Sequence, residues 1–207
     1  MPLPSQTRPV LRLGFLASHG GSNMQAILDA CKDGRLTAEP EVVISNNSGS
    51  HALERARRAG VPAYHLSGKT HPKLDDLDAA ILDVLHRHEV NLVILAGYMR
   101  LLGPKTIATY QRRILNIHPA LLPSFGGKGF YGPAVHEAVL AAGDSVTGVT
   151  IHVVDEKFDR GPILAQVTVP VEKNDTTESL AGRVLAQEHL LFVETLQQIE
   201  RGELELP

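Results

Sequence analysis

Short apolar runs rich in β-branched residues alternate, along the first half of the chain, with runs whose apolar residues recur every three or four positions. The first pattern predicts strands and the second predicts amphipathic helices. The predicted strands cover 11–17, 41–46, 61–66 and 91–97. The predicted helices cover 22–34, 51–60, 75–89 and 104–111. Repeated strand–helix units indicate an α/β fold with a doubly wound, mostly parallel sheet, which binds ligands where its strands end.

The second half of the chain follows a different pattern. Its predicted elements are the strand 114–119, the helix 133–143, two β-rich runs at 146–156 and 163–171, and a closing helix at 176–202. Because only a short turn separates the two β-rich runs, we expect an antiparallel hairpin. Gly202 ends the long C-terminal helix. The sequence therefore predicts a Rossmann-like sheet with an antiparallel C-terminal portion, forming a single domain over 10–207 after a disordered N-terminal extension at 1–9.

Composition narrows the classes of partner. The 207 residues are 43% hydrophobic and 21% charged, which is enough for one sizeable α/β core. A net charge of -3 gives no general attraction to nucleic acid. No run approaches the roughly 20 apolar residues that span a bilayer, and the single Cys31 excludes an intramolecular disulfide. We expect a soluble, cytoplasmic protein that binds neither nucleic acid nor membranes.

Two polar residues close the apolar run ILNIHP. In a strand, residues two apart share a face, so Asn116 and His118 lie together where the strand ends at Pro119. They form either a buried hydrogen-bonded pair or a reactive site. A reactive imidazole needs a carboxylate to orient it, and the predicted hairpin turn offers Asp155, Glu156 and Asp159. Asp159 is the best candidate, because the adjacent Gly-Pro step can present its side chain rigidly.

Two further segments end predicted strands at the same edge of the sheet. SHGGSN, at 18–23, joins the first strand to its helix, with Ser22 or Asn23 as the helix N-cap. Such a turn is either an ordinary cap or an anion site, since a helix N-terminus offers free N–H groups. GYMR, at 97–100, ends another strand, and Arg100 either binds a carboxylate or solvates a loop.

Other catalytic classes lack their signatures. No G-x-S-x-G elbow is present, which disfavours a serine hydrolase. No H-E-x-x-H, and no H-x-E with C-x-x-C, occurs among the ten histidines, which disfavours a zinc enzyme. We therefore expect a site without metal.

Five motifs occur in order along most of the chain, from about Leu11 to the final helix. They are SHGGSN, LAGYMRLL, NIHPALLPSF, VTIHVVDEKFDRGPI and AQEH. Together they resemble the phosphoribosylglycinamide formyltransferases, a family of folate-dependent enzymes of purine biosynthesis. NIHP with D-x-G-P alone would mark only the wider formyltransferase group.

The resemblance implies specific roles. Asn116, His118 and Asp159 would be catalytic. The substrate-binding residues would be Gly21, Ser22 and Asn23 for the phosphate, and Glu188 for glycinamide ribonucleotide. Met99, Arg100, Leu101 and Leu102 would border the folate pocket. The formyl donor would be 10-formyltetrahydrofolate, used as a cosubstrate without metal, and a homodimer is compatible with the resemblance.

The sequence departs from the family pattern at several positions. Ala120 replaces a common Ser, and Gly126-Gly127 replaces a Pro-Gly step. PKLDDLD stands where relatives often carry an Arg-Glu pair, and the loop before His136 is longer than in some relatives. A formyltetrahydrofolate deformylase, which uses water in place of the amine, is the main alternative. A tRNA formyltransferase and a non-catalytic folate or nucleotide sensor are less consistent with the sequence.

Overall fold

One seven-stranded sheet carries the predicted alternation of strands and helices. The computed structural model describes residues 9–156 and 159–207; positions 1–8 of the predicted extension lie outside the described residues. The strands are β1 Leu11–Ala17, β2 Ala38–Ser45, β3 Ala63–His65, β4 Leu92–Leu95, β5 Ile114–His118, β6 Val146–Val153 and β7 Ile163–Pro170. The helices are α1 Ser22–Lys32, α2 His51–Arg58, α3 Leu74–Arg87, α4 Pro104–Thr109, α5 Pro133–Ala142 and α6 Thr177–Arg201.

The strand order confirms the predicted doubly wound sheet. It runs β3-β2-β1-β4-β5-β6-β7. Neighbouring strands from β3 to β5 are parallel, whereas β6 pairs antiparallel with β5 and β7 pairs antiparallel with β6. After β3 the chain crosses to the other side of β1 to form β4. The crevice between β1 and β4 is therefore the place where this topology favours a ligand.

Both faces of the sheet are covered, as expected for a largely parallel sheet. On β5, Leu115 and Ile117 belong to the apolar core that includes residues of α1 and α6. Ile114 points the other way, into the core that includes residues of α3. The alternation puts Asn116 and His118 on the same face as Ile114, so the predicted sharing of a face is confirmed.

The start of α1 corrects one sequence-based expectation. Its N-cap is Gly21, not Ser22 or Asn23, and Gly21 makes no side-chain cap. The φ angle of Gly21 is +68°, and a Cβ there would lie 2.8 Å from Cβ of Ala52. Glycine is needed because the backbone is left-handed and α2 packs directly against it. The helix therefore begins with uncapped N–H groups.

The other boundaries shift slightly. β2 begins at Ala38, three residues before the predicted start, because it pairs with β1 from Leu11 onward through a register shift. The C-cap Gly202 has φ +73°, as expected of a glycine that ends a helix. Over the residues described, no helix combines the length and apolar character needed to cross a membrane.

Candidate active site

A cavity of about 590 Å³ opens where β1, β4 and β5 end. Its volume is in the range of small-molecule sites. Segments that are distant in sequence form its wall. They are the β1–α1 turn, the segment after β4, the end of β5, the loop 127–132 with the start of α5, part of β6, the turn before β7, and α6. All of the sequence-predicted site residues line it: Gly21, Ser22, Asn23, Met99, Arg100, Leu101, Leu102, Asn116, His118, Asp159 and Glu188.

The three residues predicted to be catalytic are in contact. The Asn116 amide lies 3.5 Å from Oδ1 of Asp159, and Nδ1 of His118 lies 3.7 Å from Oδ2 of the same carboxylate. His118 is only 4% exposed, and the Asp159 side chain is 11% exposed. Of the three carboxylates offered by the turn, Asp159 is thus the one that the structure pairs with the imidazole.

The His118 ring makes one hydrogen bond and faces one carboxylate. Its Nε2 lies 2.7 Å from the Phe125 carbonyl oxygen, which can only accept, so Nε2 carries a proton. Burial lowers the pKa of His118 below its usual value, and the Asp159 carboxylate and the Phe125 carbonyl offset only part of that shift. The ring of the free protein is therefore biased toward the neutral form, and Asp159 is the group that favours its protonation.

Asp159 is stabilised as a charged group. Burial alone would raise its pKa, but His152, the Gly127 N–H and the charge on His118 together lower that pKa below its usual value. Oδ2 accepts from the Gly127 N–H at 2.9 Å. Asp159 itself has φ +53°, an uncommon conformation for a residue other than glycine. Gly126-Gly127 stands where the family has a Pro-Gly step, and its backbone still contacts the site through the Gly127 N–H.

His152 is a member of this cluster that the sequence interpretation did not single out. It faces Asn116 directly across the β5–β6 pair, is 2% exposed, and lies 3.4 Å from Oδ1 of Asp159. Its Nε2 is 3.0 Å from Nδ2 of Asn116. A neutral ring accepts from the amide there, whereas a ring protonated at Nε2 donates to Asp159. The sequence did contain a signal for this position, because His152 alternates along the strand with the core residues Val149 and Ile151 and so lies on the opposite face.

His136, which follows the loop that is longer than in some relatives, also lines the cavity. It lies on α5 and is 6% exposed, and its Nδ1 has no hydrogen-bond partner within residues 9–156 and 159–207. Burial, and then the charge on His118, lowers the pKa of His136. A neutral imidazole therefore borders the cluster.

The start of α1 forms another part of the wall. Because Gly21 provides no cap, the first N–H groups of the helix are left for another acceptor. Arg55 of α2 donates to the Gly20 carbonyl at 2.9 Å, which brings a positive charge behind the turn. The terminus of the helix and the arginine together favour an anion, and an anion site at this turn stays a prediction.

A buried pair connects this turn to the last helix. Nδ2 of Asn23 donates to Oε2 of Glu188 at 2.6 Å, across 165 positions of sequence. Burial raises the pKa of Glu188 to about 7, although the Asn23 hydrogen bond acts in the opposite direction. Glu188 can therefore exchange a proton near neutral pH, beside the anion-binding turn.

The segment after β4 forms a more apolar side of the cavity. Met99 and Leu101 are 40% and 58% exposed, whereas Leu102 is 7% exposed and is part of the α3-side core. The N–H of Met99 donates to Oγ of Ser18 at 2.8 Å, which ties the segment to the end of β1. The exposed Arg100 stands between these apolar side chains and could meet an anionic group.

None of the described residues form a group of three or more His, Cys, Asp and Glu side chains arranged to hold a metal ion. Ala120, which stands in place of the common Ser, has no hydroxyl to donate, but its carbonyl accepts from Oγ1 of Thr150 at 2.7 Å.

Comparison with known proteins assigns the chain to a family. The model of the formyl transferase family matches residues 11–196, and the chain belongs to this family. Among its relatives, phosphoribosylglycinamide formyltransferase of Escherichia coli K12 is 34% identical over 95% of this chain and 90% of its own. The chloroplastic phosphoribosylglycinamide formyltransferase of Vigna unguiculata is 45% identical over 91% of this chain.

The chain spans 60% of the length of the Vigna protein. A solved structure, glycinamide ribonucleotide transformylase 1 from Symbiobacterium toebii, superposes with a TM-score of 0.90 at 40% identity. That likeness covers 98% of this chain and 96% of the other. The predicted family and fold are thereby confirmed.

Proposed function

We propose that this protein transfers the formyl group of 10-formyltetrahydrofolate to the primary amine of N1-(5-phospho-D-ribosyl)glycinamide in purine biosynthesis. The products are the formylated ribonucleotide and tetrahydrofolate. One observation carries the proposal: Asn116, His118 and Asp159 meet in a cavity that also contains an uncapped helix N-terminus. Two relatives that this chain covers almost completely have names that refer to the same ribonucleotide substrate, and these names support the proposal.

The substrates are assigned to opposite parts of the cavity. The phosphate of the ribonucleotide binds at Gly21, Ser22 and Asn23, where the helix dipole and free N–H groups complement its charge. Glu188 binds the glycinamide part next to it. The folate lies against the more apolar segment from Met99 to Leu102, and its formyl group reaches the end of β5.

The reaction begins with attack of the neutral amine on the formyl carbon. A C–N bond forms, the carbonyl electrons move to oxygen, and a tetrahedral oxyanion results. Asn116 and protonated His118 donate hydrogen bonds to this oxygen, an arrangement worth roughly 3 kcal/mol per donor in other enzymes. Collapse of the intermediate then breaks the bond to the folate nitrogen.

Asp159 supports both protonation events. It favours the imidazolium of His118 and, through water, helps to move a proton from the attacking nitrogen to the departing folate nitrogen. His118 Nε2–H is donated to the Phe125 carbonyl in this structure. For Nε2 to donate to the oxyanion, the formyl oxygen would have to replace that carbonyl as its acceptor.

The direct test is formyl transfer from 10-formyltetrahydrofolate, followed by folate absorbance with and without glycinamide ribonucleotide. Turnover only with the amine, and a product whose mass is that of formylglycinamide ribonucleotide, is the expected result. Formate release without the amine would instead identify a deformylase. Binding of both compounds without turnover would identify a non-catalytic sensor.

Two narrower expectations accompany this function. We expect the protein to work in the cytoplasm, which cell fractionation followed by immunoblotting checks. The resemblance also allows a homodimer, and sedimentation velocity at several concentrations measures whether the chain associates in this way.

A further inference from the structure

A buried carboxylate outside the catalytic cluster fixes the start of α4. Asp78, on α3, is 3% exposed. Its Oδ2 accepts from the N–H of Lys105 at 2.8 Å. Its Oδ1 accepts from the N–H and the hydroxyl of Thr106 at 3.1 and 2.6 Å. The carboxylate thus satisfies the first N–H groups of a helix whose own N-cap, Gly103, makes no side-chain cap.

Gly103 lies directly against the same side chain. A Cβ at position 103 would collide with Cγ and Cβ of Asp78. The absence of a side chain lets the backbone approach the carboxylate, and the close approach fixes the backbone at the point where the segment after β4 becomes α4. Asp78 therefore determines where that segment ends.

The opposite end of the segment has its own anchor. Oγ of Ser18 accepts a hydrogen bond from the N–H of Met99, and the N–H of Ser18 donates to the Gly97 carbonyl at 3.0 Å. Its hydroxyl continues to Oδ1 of Asn46 at 2.6 Å. The residues between the two anchors, 99–102, line the cavity, as does Ile107 on α4.

We propose that Asp78 is a positioning residue for the formyl donor: by capping α4 and packing on Gly103, it sets the wall against which the folate binds. The inference rests on the proposed function, in which Met99 to Leu102 border the folate. Asp78 does not line the cavity, so its effect passes through α4. Moving that wall weakens donor contacts equally in the ground state and the transition state, which raises KM without lowering kcat.

The test measures KM and kcat for both substrates in Asp78→Ala and Thr106→Val. We expect the KM for 10-formyltetrahydrofolate to rise about tenfold in Asp78→Ala, equivalent to about 1.4 kcal/mol, and less in Thr106→Val, which loses only the hydroxyl contact. The KM for glycinamide ribonucleotide and kcat should stay within about twofold. Asp78→Asn keeps one acceptor oxygen and should restore part of the donor affinity.

A second helix cap provides the matched control. Ser50 caps α2 by accepting from the N–H of Leu53, so Ser50→Ala loses a cap but leaves the donor wall in place. It should lower Tm without changing the KM for the donor. Unchanged donor KM in both Asp78→Ala and Thr106→Val would overturn the inference and leave Asp78 a stabilising cap only.

The design separates this inference from the proposed function. Calorimetry measures the binding of tetrahydrofolate to the wild type, to Asp78→Ala and to Thr106→Val. Because Thr106→Val is nearly isosteric, its affinity can be measured even if Asp78→Ala does not fold. A wild type that neither binds tetrahydrofolate nor turns over would refute the proposed function. A wild type that binds and turns over, with equal tetrahydrofolate affinity in Thr106→Val and in any folded Asp78→Ala, would refute only the positioning role.

Discussion

Glu188 should make the stability of the protein depend on pH in a defined window. Burial raises its pKa from 4.5 to about 7 in the folded chain. The folded state therefore binds a proton more tightly than the unfolded state does. Stability contributed by the protonated carboxyl is complete below pH 4.5 and is lost as pH rises through 7.

The size of the effect follows from the two titrations. At pH 5 the unfolded carboxyl is largely ionised while the folded one is still protonated, which costs about 1 kcal/mol. At pH 8 both are ionised, and the folded state bears a cost of about 3 kcal/mol. The difference, about 2 kcal/mol, is what Glu188 should remove from stability between these two pH values.

Replacement by glutamine isolates this contribution. Glu188→Gln keeps an oxygen that can accept from Asn23 but has no charge to bury. Urea unfolding of wild type and variant at pH 5 and pH 8 should show the variant gaining about 2 kcal/mol relative to wild type at the higher pH. Glu194→Gln, at an exposed position of the same helix, is the control. A Glu188→Gln effect of equal size at both pH values would refute the reasoning.

Three further changes test the proposed catalytic residues and the turn at the start of α1. His118→Ala should lower kcat roughly 10²- to 10³-fold with little change in Tm, and near-normal turnover would contradict its role. Asp159→Asn removes the charge that raises the pKa of His118, so an NMR titration should find that pKa lower than in wild type; an unchanged titration would show the pair to be uncoupled. Gly21→Ala should destabilise by roughly 1–3 kcal/mol because of its positive φ and the contact with α2. Gly20→Ala, where a Cβ meets nothing within 4 Å, should have little effect, and equal losses in urea unfolding would show that the steric argument is wrong.

Local periodicity was sufficient to predict most of the sheet. The strand period of two placed Asn116 and His118 on one face, and the structure confirms it. The same rule applied to β6 would have placed His152 beside them, because Val149 and Ile151 occupy the core on the opposite face. The signal was present in the sequence, but it needed the β5–β6 register to bring His152 opposite Asn116.

Long-range contacts could not be predicted in the same way. The Asn23–Glu188 hydrogen bond joins residues 165 positions apart, and it depends on how α1 packs against α6. The N-cap of α1 was misassigned because Ser and Asn are good caps by composition. The close approach of α2, which makes glycine necessary at position 21, is a tertiary feature. The Asp78 cap of α4 is another such contact, between helices that are separate in sequence.

The two halves of the sheet supply different parts of the chemistry. At the β1–β4 crevice the parallel half offers the uncapped start of α1, which suits an anion. It also offers the extended segment after β4, which suits an apolar ring system. Within the described part of the chain, the carboxylate paired with the β5 imidazole is Asp159, which follows only after the chain has reversed through β6. The antiparallel hairpin brings Asp159 and His152 against Asn116 and His118, and the Gly127 N–H holds Asp159 in place. In the proposed function, substrate binding and the protonation of the reacting groups therefore rest largely on separate elements that meet at the tip of β5. We expect substitutions in the binding wall to change KM and those in the hairpin to change kcat.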